Sequence, residues 1–348
     1  MDFSRILVLI CCCLFSQLLT ANSKTNTLTI FNWSGNVDPA LVKAFEKQYS
    51  VKIHEIYFNA NEDRDHYLVE NGIEGIDICI VDNYKIDAYF KRDWLAKINP
   101  AKMPELKHID PQLANNYSHL KDYAIPYMWG TMGLAYRSDL VKEPIKSWQQ
   151  IFEPDSSLHG KIVMSSDSFE LIGVALKAAG YSMNNISSEG LRKAKQLLEK
   201  QKQFIHEYGS TGSNEDVHLL SGDALVAQAY SGDALILQEK NSNIKYVIPE
   251  EGGTIWLDFL VVLKKSKYKK LAQDFINFLN KPEHAAQNSN FISFATANLA
   301  ARQHLDNEFL QDPIIFPDSE TMSRLELQSY PTPKILRQIN MIYHQLMR

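Results

Sequence analysis

The chain has 348 residues, 45% of them hydrophobic and 22% charged, with a formal net charge of −5. This globular composition contains no low-complexity tract, and its mild acidity excludes the basic footprint that nucleic-acid binding requires. The first stretch, MDFSRILVLICCCLFSQLLTANSKT, sets Arg5 ahead of ten apolar residues from Ile6 to Phe15, then small and polar residues including Ala21 and Ser23. That is the pattern of a secretory signal peptide, residues 1–23, with cleavage expected after Ser23. The apolar run is shorter than the roughly 20 residues that cross a bilayer, which argues against an uncleaved anchor. Cys11, Cys12 and Cys13 would leave with this peptide, and Leu9-Ile10 lacks the small residue that precedes an acylated cysteine. Cys79 then remains alone, so an exported mature chain of about 325 residues would hold together through its core without an internal disulfide. Cys79 lies in the apolar run IDICIVD and reads as a small buried hydrophobe.

The mature region opens with TLTIFNW, a β-rich run, then the turn SGNVD and the segment PALVKAFEKQY. Asp38 can cap a helix there, Pro39 suits its first turn, and Leu41, Ala44, Phe45 and Gln48 fall along one face. VKIHEIYF and IDICIVD follow as strands, and strand–helix–strand spacing of this kind predicts a parallel sheet covered by helices. The middle repeats the alternation: KIVMSS as strand, FELIGVALKAAG as a helix ending at Gly180, SSEGLRKAKQLLEKQKQFI as helix and ALVAQAY as strand. TIWLDFLVVL reads as a strand, KKLAQDFINFLN as a helix stopped by Lys281-Pro282, and KILRQINMIYHQLM as a C-terminal helix. No Gly/Ser or Pro linker divides the chain, so two lobes would exchange chain more than once. SGDAL occurs at Ser221–Leu225 and at Ser231–Leu235, a spacing too short for a solenoid. The first copy reads as a helix-to-strand turn and the second as a strand-to-helix turn.

No H-E-x-x-H, G-x-S-x-G, P-loop or G-x-G-x-x-G motif is present, and the histidines are scattered without ligand spacing, so nothing supports an exported hydrolase or a metal-binding protein. YGSTGSNED, with no strand read before it, looks like a solvent loop. What the sequence does offer is acid and aromatic residues at strand ends, where open α/β sheets hold their ligands. Four such places are Trp33-Ser34, Asp82-Asn83-Tyr84, Asp167 through Glu170, and Tyr230 through Asp233. Trp256 and Asp258 alternate in phase on TIWLDFL and so share a sheet face. An aromatic plate beside a carboxylate suits an alkylammonium ion, because the ring face attracts the cation and the carboxylate accepts its N–H bonds. The plain alternatives are a half-exposed edge strand for TIWLDFL, and a capping box for Asp167 with Glu170.

The segments NWSGNV, IPYMWGTMGLAYR, SSDSFELIGVALKAAGYS, VIPEEGGTIWLDFL, NLAARQ and FPDSETM resemble, in order and spacing, the bacterial periplasmic spermidine/putrescine-binding proteins, from about Leu28 to the end. The resemblance implies an α/β fold of type II periplasmic binding protein: two lobes joined by crossing hinge strands, with a ligand cleft between them. It divides the chain into residues 24–132 plus 257–301 for lobe 1 and 133–256 plus 302–348 for lobe 2. It also implies a periplasmic location, a monomer, no cofactor, no metal and no catalysis.

The polyamine contacts that the resemblance implies are Trp33, Ser34, Tyr84, Asp167, Glu170, Trp256, Asp258 and Gln328. Tyr230 stands where the family usually has tryptophan, Phe294 where it has tyrosine, and Gly35 where spermidine binders often carry a glutamate. Asp82 stands where they have a small hydroxyl residue, so it could restore the acid lost at Gly35 or merely cap a helix beginning near Tyr84. The family resemblance leaves two roles open: delivery of the ligand to an inner-membrane ABC permease, or sensing of norspermidine or spermidine through the periplasmic domain of a membrane GGDEF/EAL cyclic-di-GMP enzyme that controls biofilm formation.

Overall fold

Strand β1, Thr27–Trp33, lies parallel to β2, Lys52–Phe58, with Thr27 opposite Lys52 and Trp33 opposite Phe58. This computed structural model describes residues 26–209, 217–329 and 331–348, so the expected signal peptide lies outside the described residues. The helix between the two strands is Pro39–Tyr49, capped by Asp38, which accepts from the Ala40 amide. Its inner stripe is Leu41, Val42, Phe45 and Tyr49, whereas Ala44 and Gln48, expected on that face, are exposed. The i, i+4 ladder of large side chains outcompetes the smaller and polar positions beside it.

β3, Ile78–Asp82, is buried at every residue and pairs in parallel with β1. Its other neighbour is β9, Thr254–Val262, which runs antiparallel and places Cys79 opposite Val261 and Asp82 opposite Asp258. β9 also pairs with β4, Ala124–Arg137, so TIWLDFL sits in the middle of the sheet and not at an edge. β4 then continues into a second set of strands: β7, Val226–Tyr230, and β8, Ile244–Val247, both antiparallel to it. β5, Ile162–Ser165, lies parallel to β7, and β6, Ile205–Gly209, forms the far edge. The path is β2-β1-β3-β9-β4-β7-β5-β6, with β10, Ala295–Thr296, on β4 and β11, Glu326–Leu327, on β9. β6 corrects the reading of YGSTGSNED: its Tyr208 and Gly209 end a strand, and residues 210–216 lie outside the described ones. IHEYG carries no apolar run, because an outermost strand buries little of itself.

Two lobes result, with β4 and β9 running through both. The first has cores on both sheet faces, one around Ile30, Phe45, Ile80, Leu260 and Phe275, the other around Phe31, Cys79 and Phe259. The second is built around Leu134, Trp148, Phe152, Ile162, Leu176 and Ile339. Leu305 packs with Ala285, Ala286 and Ala301, and Ile315 packs in the cluster of Phe259, so the chain stays on the first lobe past residue 301. The C-terminal helix Pro333–Leu346 then joins the second lobe through Ile339, Ile342 and Leu346. The two SGDAL copies have the two expected roles: one links the helix Val217–Ser221 to β7, and the other opens the helix Ser231–Lys240 after β7. Among the described residues no helix is long and apolar enough to cross a membrane.

Candidate functional site

The carboxyl ends of β1, β3, β5 and β7 deliver Trp33, Asp82, Ser165 and Tyr230 toward the region where the lobes meet. Just beyond β5, Asp167 is the N-cap of the helix Ser168–Ala178, with Oδ1 accepting from the Phe169 amide at 2.8 Å and the Glu170 amide at 2.9 Å. A reciprocal capping box would send Glu170 back to the Asp167 amide. Instead that amide donates to Ser165 Oγ at 3.1 Å, and the Ser165 hydroxyl donates to Glu170 Oε2 at 2.7 Å. The other Glu170 oxygen accepts from the Tyr230 hydroxyl. Asp167 therefore does the capping, and the Glu170 carboxylate is left for the cleft. Burial first, and Asp167 beside it second, push the Glu170 pKa up to about 8 against the two hydroxyl hydrogen bonds.

Asp258 occupies the floor. It is 5% exposed and sits opposite Asp82 in the β3–β9 register, so two carboxylates share one sheet face. Burial, then the Asp82 charge, push its pKa up to about 8, while Arg64 and a hydrogen bond from Trp33 oppose the rise. Asp82 does not cap a helix: the next one is Ile86–Lys91, whose N-cap is Lys85 and has no side-chain cap bond. Its carboxylate is 3.0 Å from Nη1 of Arg64, a fully buried guanidinium, and neither Asp82 oxygen has an aligned hydrogen-bond donor. Arg64 also donates through Nε to the Tyr89 hydroxyl at 2.8 Å and through Nη1 to the Ile80 carbonyl at 3.2 Å. Burial works against its charge, but Asp82 above all outweighs that and holds its pKa well above the ordinary value. Asp82 is thus paired inside the protein with a guanidinium that it shares with Asp65, 3.1 Å from Nη2, while burial still raises the Asp82 pKa against Arg64 and Lys85.

Aromatic rings form the walls. Trp33 lies against Phe58 with centroids 4.4 Å apart, and Trp256 meets Phe294 edge-on at 4.8 Å and Tyr230 at 6.1 Å. Two glycines make room for them. A Cβ on Gly130 of β4 would come within 2.7 Å of the Trp256 ring, and one on Gly232 within 2.6 Å of the Phe294 ring. The Trp256 indole nitrogen is shielded from solvent and has no hydrogen-bond partner, and both amide atoms of fully buried Asn32, next to Trp33, are in the same condition. Such groups are rare in folded chains and point toward something that satisfies them.

At the outer end, the Tyr84 ring packs on Phe169 from the other lobe at 5.1 Å, and its hydroxyl accepts from Asn61 Nδ2 at 2.7 Å. Asn83, between Asp82 and Tyr84, ties the lobes together: Nδ2 donates to the Gln328 carbonyl at 3.0 Å and Oδ1 accepts from the Leu257 amide at 3.1 Å. Gln328 is buried, its Nε2 donating to the Phe169 carbonyl at 3.3 Å. Ser34 and Gly35 are exposed in the turn after β1, Gly35 at φ 77°. Sequence reasoning missed Arg64, Asn61 and Glu62, all on the helix Asn61–Asn71. NEDRDHYLVEN reads as a solvated polar helix, and no local signal marks its arginine as fully buried.

Among the described residues, no lysine, arginine or histidine forms an ion pair with Asp167, Glu170 or Asp258. Carboxylates in an aromatic cleft with no basic side chain of their own suit a cationic guest.

Comparison with known proteins agrees with this architecture. The family model described as bacterial extracellular solute-binding protein matches residues 40–317. The spermidine/putrescine-binding periplasmic protein of Escherichia coli (strain K12) is 29% identical over 306 residues, 87% of each chain. The putrescine/agmatine-binding protein of Pseudomonas aeruginosa is 28% identical over 317 residues, 85% of each. Among solved structures, the spermidine/putrescine ABC transporter substrate-binding protein PotD of Streptococcus pneumoniae superposes with a TM-score of 0.81 at 27% identity, covering 93% of this chain and 99% of that one. The chain belongs to the bacterial extracellular solute-binding proteins, a periplasmic and non-enzymatic family with this two-lobed fold.

Proposed function

We propose that the cleft binds a linear polyamine of the spermidine, norspermidine or putrescine class, and that the closed, ligand-bound form is presented to an inner-membrane ABC permease. The observation that carries this reading is the set Asp167, Glu170 and Asp258, three carboxylates among aromatic rings with no basic side chain paired to them. Each ammonium held by a carboxylate gains roughly 1.5–3 kcal/mol, and each ring face about 0.5–2 kcal/mol more. Trp33, Tyr84, Tyr230, Trp256 and Phe294 grip the methylenes and exclude water, while Ser34 and Gln328 close the two lobes over the ligand. Asp82 acts one step back: it is paired with Arg64, and it sets the field felt by Asp258. The names of the relatives support the same ligand class and the same transport role.

Calorimetry of the mature protein, expected to be monomeric, should show tight binding of spermidine, norspermidine or putrescine and none of neutral amino acids or sugars. A preference for an anion or a sugar would overturn the proposal. Stimulation of a reconstituted permease ATPase by the liganded protein tests delivery, whereas liganded docking on a GGDEF/EAL protein, without such stimulation, would assign sensing instead.

A further inference from the structure

Away from the cleft, the helix Pro333–Leu346 turns two different stripes to its two sides. Ile339, Ile342 and Leu346 are buried in the core of the second lobe. Lys334, Arg337, Met341, His344 and Arg348 follow one another at steps of three and four residues, so they share the opposite face, and all of them are exposed. Residues 331–348 contain no Asp or Glu, whereas the chain as a whole carries a net charge of −5. Among the described residues Lys334, Arg337 and Arg348 form no ion pair. Met341, 54% exposed, lines one groove with Arg337, His344 and Arg348.

The basic face continues onto the helix Ser188–Gln201, because Lys195 Nζ donates to Gln345 Oε1 at 2.8 Å and sets the two helices side by side. Arg192, one turn before Lys195, is exposed; Glu199, one turn after it and 3.6 Å from Lys195, offsets one of these charges. Cations around a large exposed apolar side chain fit an anionic lipid surface, where the cations meet the phosphates and the apolar group enters the boundary beneath them. An acidic protein segment would match the cations but offer nothing to Met341.

We propose that this face of the second lobe docks on the anionic phospholipid headgroups of the inner membrane, so that the protein finds its membrane partner by moving along the lipid surface. The proposal goes beyond the polyamine reading and does not depend on it. Each Lys or Arg brought to an anionic surface raises partitioning by about fivefold, and the attraction is confined to about 8–10 Å at physiological salt.

The test is co-sedimentation of the full mature chain, without amine, with vesicles of phosphatidylcholine alone or of phosphatidylcholine with about one-third phosphatidylglycerol. Wild type should partition at least about 20-fold more strongly onto the anionic vesicles at about 50 mM salt and lose most of that preference at about 500 mM. Arg337→Glu combined with Arg348→Glu should abolish the preference, and Arg337→Lys combined with Arg348→Lys should keep it within about 3-fold. Lys43→Glu combined with Lys47→Glu, the same change of charge at exposed positions of the first lobe, should also keep it within about 3-fold. All these variants should melt with wild type, since every altered side chain is exposed. No preference for anionic vesicles, a preference that salt leaves intact, or an equal loss in the Lys43/Lys47 variant would overturn the proposal while leaving polyamine binding intact. Salt-sensitive capture of polyglutamate by wild type, without vesicle binding, would overturn it in favour of an acidic protein partner.

Discussion

Replacing Arg64 with leucine tests whether the charge of Asp82 is matched from within. The change removes the guanidinium 3.0 Å from a carboxylate that is only 5% exposed and has no aligned donor of its own. Breaking one side of a buried pair costs about 3–5 kcal/mol. Protonation of Asp82 sets a ceiling on that figure. Burial already raises the Asp82 pKa against Arg64 and Lys85, and without the guanidinium it rises further. The lost hydrogen bonds to the Tyr89 hydroxyl and the Ile80 carbonyl add about 1 kcal/mol each at most. The sign with pH follows from linkage: a carboxyl whose folded pKa is raised is destabilising above its unfolded value, so the deficit shrinks as pH falls. Urea unfolding of ligand-free Arg64→Leu should show a loss of about 4 kcal/mol at pH 7.5, falling by about 2–3 kcal/mol at pH 5. Arg64→Leu combined with Asp82→Asn should recover at least half of the loss at pH 7.5. A loss below about 1 kcal/mol, or one that neither pH nor Asp82→Asn relieves, would refute the pairing as the reason for this buried arginine.

Four further outcomes are expected. Glu170 and Asp258 titrate near pH 8 in the ligand-free fold, so amine binding at pH 7 should release about one to two protons, read by calorimetry in two buffers of different ionisation enthalpy; no release would contradict a carboxylate-held cation. For the same reason, ligand-free stability should fall as pH rises from about 4 toward 8, and a ligand at saturation should abolish that slope. Tyr230→Phe removes a hydrogen bond that opposes the raised Glu170 pKa, so amine affinity at pH 7 should drop by about 3- to 10-fold and recover at pH 9; a pH-independent loss would mean that the ring alone matters. Burial pushes the Cys79 thiol up to about 12, so it should resist thiol reagents in the native state and react once unfolded.

Much of the fold was legible because its strands carry their own signals. IDICIVD is apolar throughout, as a strand covered on both faces must be, and the Asp38-Pro39 start marked the first helix. IHEYG gave no such signal, because a peripheral strand is stabilised by its neighbour and not by its side chains. In the site, Trp256 and Asp258 could be placed on one face from their spacing alone. Their central position could not, since it depends on pairing with β3 and β4, remote in sequence. The Asp167–Glu170 spacing suggested reciprocal capping, yet Ser165 intervenes and frees Glu170, a substitution that only the folded turn displays. Asp82 was visible as an acid at a strand end, but its counter-ion lies on a helix whose sequence looks fully solvated.

The arrangement of β9 between β3 and β4 carries a kinetic consequence. β1, β2 and β3 are all made before residue 83, yet the inner edge of β3 is closed only by β9, with Cys79 facing Val261. A chain emerging from amino to carboxyl end therefore holds a half-finished first sheet, with an open backbone edge, while the whole second lobe is produced. Such distant pairings make folding slow and leave the unfinished state prone to association. The same delay keeps the polypeptide loose for longest at the stage when threading through a narrow membrane channel would demand it.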